Sequence, residues 1–381
     1  MCGASRGNTI VYIMRRMSIR DIRRHAGQVA LAGFAGHSLP PDLHALAKEF
    51  DLGGLILFAR NVESPEQVAE ISREAQSLAG ELPLWVSVDQ EGGRVARFRS
   101  GFTIWPAMQT LGRSGDDALA ARFARALAAE LRAVGVSLDF TPVLDILTNP
   151  ANPAIGDRAL AATPEDVARL GAIIIETLQS EGVAACGKHF PGHGDTSTDS
   201  HHELPLIEHP PDRLDAVEFV PFKKAIAVGV AGIMTAHILV PAIDEERPGT
   251  LSPAIVTGLL KQKLGFEGMV FTDDIGMKAI SARYSTAEAT VRALAAGCDA
   301  VLMCGDSQAP QFEALEAVIH AVEDGTLPLP RIEDAIGRHR RVKERFLAPP
   351  RPRPLDGQSL RTLLGRDEHQ AVAAEMARFA S

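Results

Sequence analysis

Eight short apolar runs, each followed by a stretch of helical periodicity, recur between Val29 and Gly305 and constrain the fold more than any other feature. They are VALAGFAG (29–36), GGLILFA (53–59), LPLWVSVD (82–89), VSLDFTPVLD (136–145), VAACGKHF (183–190), GIMTAHI (232–238), GMVFTDD (268–274) and DAVLMCG (299–305). The runs are continuously apolar rather than alternating, as expected of strands covered on both faces in a parallel sheet. Helix signals punctuate them. Ser64-Pro65-Glu66-Gln67, Thr163-Pro164-Glu165-Asp166 and Ser252-Pro253 each place a hydroxyl N-cap before a proline, and Ser285 with Glu288 forms the pattern of a capping box. Gly80, Gly135, Gly182, Gly265 and Gly297 stand where C′ glycines would end the helices. Eight βα units over about 280 residues predict an α/β fold of the (β/α)8 TIM-barrel type. A doubly wound open sheet is the alternative.

Beyond the eighth strand, QFEALEAVIHAVEDG and RIEDAIGRHRRVKERFL read as amphipathic helices. APPRPRPLDG (348–357) reads as a proline-rich crossing segment, followed by a polar helical tail packed on the barrel. The expected division is a partly disordered N-terminal extension over 1–27, the barrel over 28–347, and a proline-rich segment with a C-terminal helix over 348–381.

Composition narrows the function. The 381 residues, 46% hydrophobic and 23% charged, suit one large α/β domain, and a net charge of −9 argues against nucleic-acid binding, which calls for a basic face. Cys2, Cys186, Cys298 and Cys304 fit neither a zinc knuckle nor a disulfide framework and read as reduced thiols of a cytosolic protein. No apolar run reaches the roughly 18 residues of a membrane span. TIVYIM (9–14) is too short for an export signal, and its arginines follow it. Residues 1–16 read either as a disordered extension or as lying upstream of a start at Met17. A cytoplasmic protein without membrane or nucleic-acid partners is expected.

In a barrel, polar residues at the C-terminal strand ends are candidates for function. Strand three ends in Asp89-Gln90-Glu91-Gly92-Gly93-Arg94-Val95-Ala96-Arg97, strand four in Asp145, strand five in Lys188-His189, strand six in His237 and strand seven in Asp273-Asp274. Singly, each has an ordinary reading. Asp89, Asp145 and Asp274 could cap turns, Lys188 and His189 could be a satisfied rim pair, and Arg158 could lie on the surface. Five neighbouring strand ends delivering charge to one rim point to a site instead. Strand alternation places Asp273 and Asp274 on opposite faces.

The stretch GKHFPGHGDTSTDSHH (187–202) holds four of the twelve histidines. His189 and His193 stand four apart, but Pro191, Gly192 and Gly194 exclude the helix that would set both on one face, and no cysteine joins them. No metal is expected, although a metal-dependent hydrolase stays open as an alternative. DQEGGR lacks the spacing of a dinucleotide loop or a P-loop, so no cofactor is expected either.

DQEGGRVARF, KHFPGHGDTSTDSHHELP, MTAHI and FTDDIGM, in this order on a barrel pattern, resemble glycoside hydrolase family 3. The likeness is to its short, single-domain β-N-acetylglucosaminidases of peptidoglycan recycling, and it runs from about residue 28 to 345. Two departures are Ile275, where leucine is commoner, and the additional His202 beside His201. The resemblance implies a retaining exo-hydrolase that removes non-reducing GlcNAc from muropeptide fragments and acts as a monomer. It implies Asp273 as nucleophile, His201 with Asp199 as acid/base, and Asp89, Arg97, Arg158, Lys188 and His189 as the groups that grip the sugar. An imidazole suits proton transfer because its ordinary pKa of about 6.5 lies near neutrality. Gly192 and Gly194 are expected to hinge a mobile loop. Whether water or phosphate accepts the glycosyl group stays open, and a catalytically silent sugar-binding barrel is a third reading.

Overall fold

A computed structural model describes residues 19–201, 203–348 and 353–380. The readings made for residues 1–16, for His202 and for the middle of the proline-rich segment lie outside these residues.

The eight apolar runs each supply one barrel strand. They are β1 (Ala30–Ala32), β2 (Gly54–Leu57), β3 (Trp85–Val88), β4 (Leu138–Asp139), β5 (Ala184–Phe190), β6 (Gly232–Thr235), β7 (Met269–Asp274) and β8 (Ala300–Met303). All neighbours pair in parallel and β8 closes on β1, so the sheet is a barrel and not an open doubly wound sheet.

Two separate cores explain why the runs do not alternate. Leu31, Ile56, Trp85, Leu138, Cys186, Met234, Phe271 and Leu302, one from each strand, fill the barrel. Their sequence neighbours, among them Ala32, Leu57, Val86, Val88, Ile233, Val270 and Val301, face outward into a second core shared with the helices. Each such aliphatic side chain contributes about 1.5–3 kcal/mol of burial, so a polar residue on either face of these strands is costly. Phe346 and Leu347, from the helix Leu329–Leu347, belong to the inner core, and Phe346 lies 6.5 Å from Trp85. They plug the end of the barrel at which the strands begin, near Trp85 and Met269.

Several helix signals act as read. Ser64, Thr163 and Ser285 accept backbone N–H groups of Gln67, Asp166 and Glu288, each worth about 1 kcal/mol. The Ser285 box is only half formed, because the Glu288 carboxylate pairs with Arg292 instead. Gly135, Gly182, Gly265 and Gly297 have positive φ, but Gly80 does not. Its N–H donates to the Asp51 side chain, so Gly80 serves a turn and not a left-handed cap.

The C-terminal tail forms two helices, Gly357–Leu363 and Asp367–Ala377, where one was expected. Gly365, at φ 58°, breaks them apart. Its N–H and the His369 ring both bond the buried Glu130 carboxylate at 2.9 and 2.8 Å, and Thr103 bonds the same group. Burial alone would raise the Glu130 pKa, but these donors hold it low, so the tail is fastened to the barrel by an ionised carboxylate.

Candidate active site

A cavity of about 380 Å³ opens at the C-terminal ends of the strands. All eight residues expected from the sequence line it: Asp89, Arg97, Arg158, Lys188, His189, Asp199, His201 and Asp273.

The segment after β3 turns back as a hairpin, Gln90–Gly92 against Val95–Ala96, which was not anticipated. Gly92 (φ 115°) and Gly93 (φ 56°) make the reversal possible, and a Cβ on Gly92 would fall 2.6 Å from the Pro106 carbonyl oxygen. The Gln90 side chain accepts the Arg97 and Phe98 N–H groups and donates to the Phe98 carbonyl, fixing the returning strand. This hairpin brings Asp89, Glu91 and Arg97 together.

The result is a buried ionic cluster. Lys188 Nζ lies 2.7 Å from Asp89 Oδ1 and 2.6 Å from Glu91 Oε1. Arg158 grips Glu91 with two bonds, of 2.9 and 2.8 Å, and Arg97 reaches Asp89 at 3.3 Å. Glu91 and Lys188 are each only 1% exposed. Burial would raise the Glu91 pKa, but Arg158 and Lys188 outweigh it and hold the carboxyl far below its usual range. Burial acts against Lys188 and Arg158 in turn, and their carboxylate neighbours keep both firmly charged. Arg158 therefore meets the cavity already anchored. Glu91 has no counterpart among the expected site residues, although its spacing of two from Asp89 in a hairpin places both on one face.

On the next strands, the buried Asp145 organises two histidines. Its Oδ2 lies 2.6 Å from His189 Nδ1, and its Oδ1 accepts the His193 N–H at 2.7 Å. Burial would raise this carboxyl, but the two histidines hold it low. His193 is buried, with Nδ1 2.7 Å from Thr196 Oγ1 and Nε2 3.3 Å from Ser200 Oγ. Among the described residues no group of three or more His, Cys, Asp or Glu could hold a metal ion.

Asp273 and Asp274 both line the cavity, which corrects the expectation that alternation would send them to opposite faces. The pairing of β7 with β8 shifts register between Ala300 and Leu302, and this irregularity breaks the alternation at the strand end. The two carboxyls nevertheless differ. Burial acts to raise Asp273, but His189, His237 and the Asp274 N–H hold it below its ordinary value. Burial prevails at Asp274, whose pKa is raised although Gly276 N and Cys304 N donate to it. Of the pair, Asp273 is the more readily ionised, and Asp274 fastens the tops of β7 and β8. His237 is buried and bonds the Asp274 carbonyl at 2.9 Å, so it supports this turn from beneath.

His201 and Asp199 ride on the loop after β5. His201 Nδ1 lies 2.7 Å from Asp199 Oδ1, which also accepts the His201 N–H at 2.9 Å. The imidazole is 65% exposed and free to present its other nitrogen. The root of this loop is packed, contrary to the hinge expected at Gly192 and Gly194. A Cβ on Gly194 would lie 1.7 Å from the Ile146 carbonyl oxygen, and Asn152 donates to the carbonyls of His193 and Gly194. Gly194 is there for close approach of two chains.

A profile described as "Glycosyl hydrolase family 3 N terminal domain" matches residues 26–342. The chain belongs to glycosyl hydrolase family 3. It is 34% identical over 368 residues to beta-hexosaminidase A of Pseudoalteromonas piscicida, covering 89% of this chain and 60% of that one. Among solved structures it resembles a family 3 beta-N-acetylglucosaminidase from Paenibacillus sp. str. FPU-7, with TM-score 0.89, 41% identity, and 94% of this chain and 68% of that one covered. It also resembles NagZ from Neisseria gonorrhoeae, with TM-score 0.75, 32% identity, and 93% and 98% covered. The family 3 chain thus spans less than two thirds of the Pseudoalteromonas protein and nearly the full length of the Neisseria one. Within the family it is a glycoside hydrolase of the β-hexosaminidase group.

Proposed function

We propose that this protein is a retaining exo-β-N-acetylglucosaminidase that removes non-reducing terminal GlcNAc from muropeptide fragments in the cytoplasm, acting as a monomer. One observation carries the reading: a carboxylate held ionised on a strand end, Asp273, shares a cavity with the imidazole–carboxylate pair His201–Asp199. Residues 28–347 form the catalytic barrel, and the helices Gly357–Leu363 and Asp367–Ala377 brace it.

Asp273 attacks the anomeric carbon while the bond to the leaving oxygen breaks, and His201 gives that oxygen its proton. The neutral imidazole then takes a proton from water, whose oxygen displaces Asp273 from the sugar. Two inversions give net retention. Asp199 accepts the Nδ1 hydrogen, so the tautomer offers Nε2 to the substrate. Lys188, Arg158, Arg97, Asp89 and His189 bind sugar hydroxyls, and because their mutual ion pairs already hold them, little side-chain freedom is lost on binding. The barrel-borne His–Asp pair supplies the acid/base within this one domain.

The test is hydrolysis of p-nitrophenyl β-GlcNAc against the β-glucoside, and of GlcNAc-1,6-anhydro-MurNAc with and without phosphate. It is joined to trapping with a fluorinated GlcNAc glycoside and peptide mapping of the adduct. The label is expected on Asp273, and Asp273→Asn should lose at least about three orders of magnitude in turnover. A label on Asp274, or near-normal activity in Asp273→Asn, overturns the assignment.

A further inference from the structure

The loop that carries Asp199 and His201 is closed at its neck by its own two ends. His209 Nε2 lies 2.6 Å from Asp195 Oδ2, bridging residues 14 apart in the chain. The other oxygen of Asp195 accepts the Thr148 hydroxyl at 2.8 Å, which ties the neck to the segment after β4. Asn149 and Asn152 fasten the same limb through the carbonyls of Thr196 and Gly194, at 3.1 and 3.0 Å. On the returning limb, the Ile207 N–H bonds the Leu239 carbonyl at 2.9 Å. Both partners at the neck are largely shielded, with side chains 28% and 26% exposed, and neither lines the cavity.

His201 sits differently. Its ring is mostly exposed, and the hydrogen bonds described for it run to Asp199, a neighbour on the same loop. Where the imidazole stands relative to Asp273 is set through its backbone, since the buried Ser200 beside it accepts the Ala279 N–H at 3.2 Å and the rest of the loop is held by the anchors above. Among these anchors the Asp195–His209 contact joins the two limbs at the neck, while the Glu203 N–H bonds the Asp199 carbonyl at 3.1 Å nearer the tip.

We propose that Asp195, closed by His209 and Thr148, is a positioning residue that holds the His201 proton donor over the leaving oxygen. This inference rests on the reading of His201 as acid/base. Loosening the neck leaves the Asp273 carboxylate on its rigid strand and lets the imidazole shift together with Asp199. The signature is therefore a dependence on the leaving group: a poor leaving group needs the proton, whereas a nitrophenolate departs without it.

The experiment compares Asp195→Ala and His209→Ala in the full chain on a GlcNAc disaccharide and on p-nitrophenyl β-GlcNAc, with melting curves and with His201→Ala as the reference. The value of kcat/KM on the disaccharide should fall about 10- to 100-fold, the scale expected for a catalytic group displaced by about 1 Å. On the nitrophenyl glycoside it should change by no more than about threefold. Asp195→Asn and His209→Gln, which keep a hydrogen-bonding atom at the neck, should fall between, and they carry the test if the alanine variants do not fold. Equal losses on both substrates, or none on either, while His201→Ala shows the selective loss, overturn the clasp and leave the acid/base intact. Absence of selectivity in His201→Ala overturns both.

Discussion

Asp145 Oδ2 lies 2.6 Å from His189 Nδ1, while the other oxygen of the same carboxylate accepts the His193 N–H at 2.7 Å. One buried group thus orients a ring that lines the cavity and pins the start of the loop that carries Asp199 and His201. Asp145→Asn keeps the shape but replaces an anion with a neutral amide, one half of which is a donor. Loss of such an orienting partner typically costs about 10- to 100-fold in function. We expect kcat/KM for p-nitrophenyl β-GlcNAc to fall in that range, with most of the effect in KM. An unchanged KM would mean that His189 is placed by its backbone alone.

The barrel was legible because its strands are buried on both faces: Val86 and Val88 pack outward, Trp85 inward, and the run has no polar position to hide it. The residues that line the cavity were legible because strand ends are where charge is otherwise hard to explain, as at Lys188 and Asp273. What stayed hidden depends on tertiary approach. The role of Glu91 requires the hairpin that folds it under Arg158, and the role of Gly194 requires the Ile146 carbonyl that comes to rest against it. Likewise, that both Asp273 and Asp274 reach the cavity goes with a register shift between β7 and β8, which alternation within one strand does not reveal.

Gly194→Ala should be strongly destabilising. The added methyl would meet the Ile146 carbonyl at 1.7 Å, and backbone on both sides leaves no side chain to swing away. Forcing such an overlap costs typically 1–3 kcal/mol or more, and each kcal/mol lowers Tm by about 1–2 °C in a chain of 381 residues, since the unfolding entropy grows with length. A drop of several degrees is expected, against a smaller one for Gly192→Ala. There the Cβ would meet the Glu218 side chain at 3.0 Å, although φ is 127°. Equal melting temperatures for Gly194→Ala and wild type would restore the hinge.

Glu91→Gln tests the ionic cluster. The substitution places an amide against Arg158 and Lys188 in a fully buried setting, and breaking a buried pair costs about 3–5 kcal/mol. Because the folded Glu91 carboxyl lies below its ordinary value of about 4.3, its stabilising contribution is complete above that pH and is lost as pH falls toward the folded pKa. The variant should therefore melt well below wild type at pH 7, and the gap should narrow on acidification below about pH 4. KM for the GlcNAc glycoside should also rise, since Lys188 and Arg158 lose their common anchor. A gap that is the same at pH 7 and pH 3 would show that Glu91 contributes packing and no charge.

Asp139 gives a pH dependence of the opposite sign. Its carboxyl is 0% exposed beneath the β3 hairpin. Oδ1 accepts the Gln90 N–H at 2.9 Å, and Oδ2 has no partner among the described residues. Burial pushes its pKa up to about 8, against an ordinary value of about 3.9 for an aspartate. Between those two values the folded protein holds one proton more than the unfolded chain, so stability falls as pH rises across that window and is insensitive to this group outside it. Asp139→Asn retains the acceptor for Gln90 and cannot ionise. Melting temperatures measured from pH 5 to 9 should show wild type losing ground to Asp139→Asn up to about pH 8 and running parallel to it above. Because the hairpin rooted on this carboxyl also carries Asp89, Glu91 and Arg97, the variant should keep its affinity for GlcNAc at pH 8 to 9 better than wild type does. Parallel melting curves over the whole range would mean that Asp139 is ionised in the folded protein.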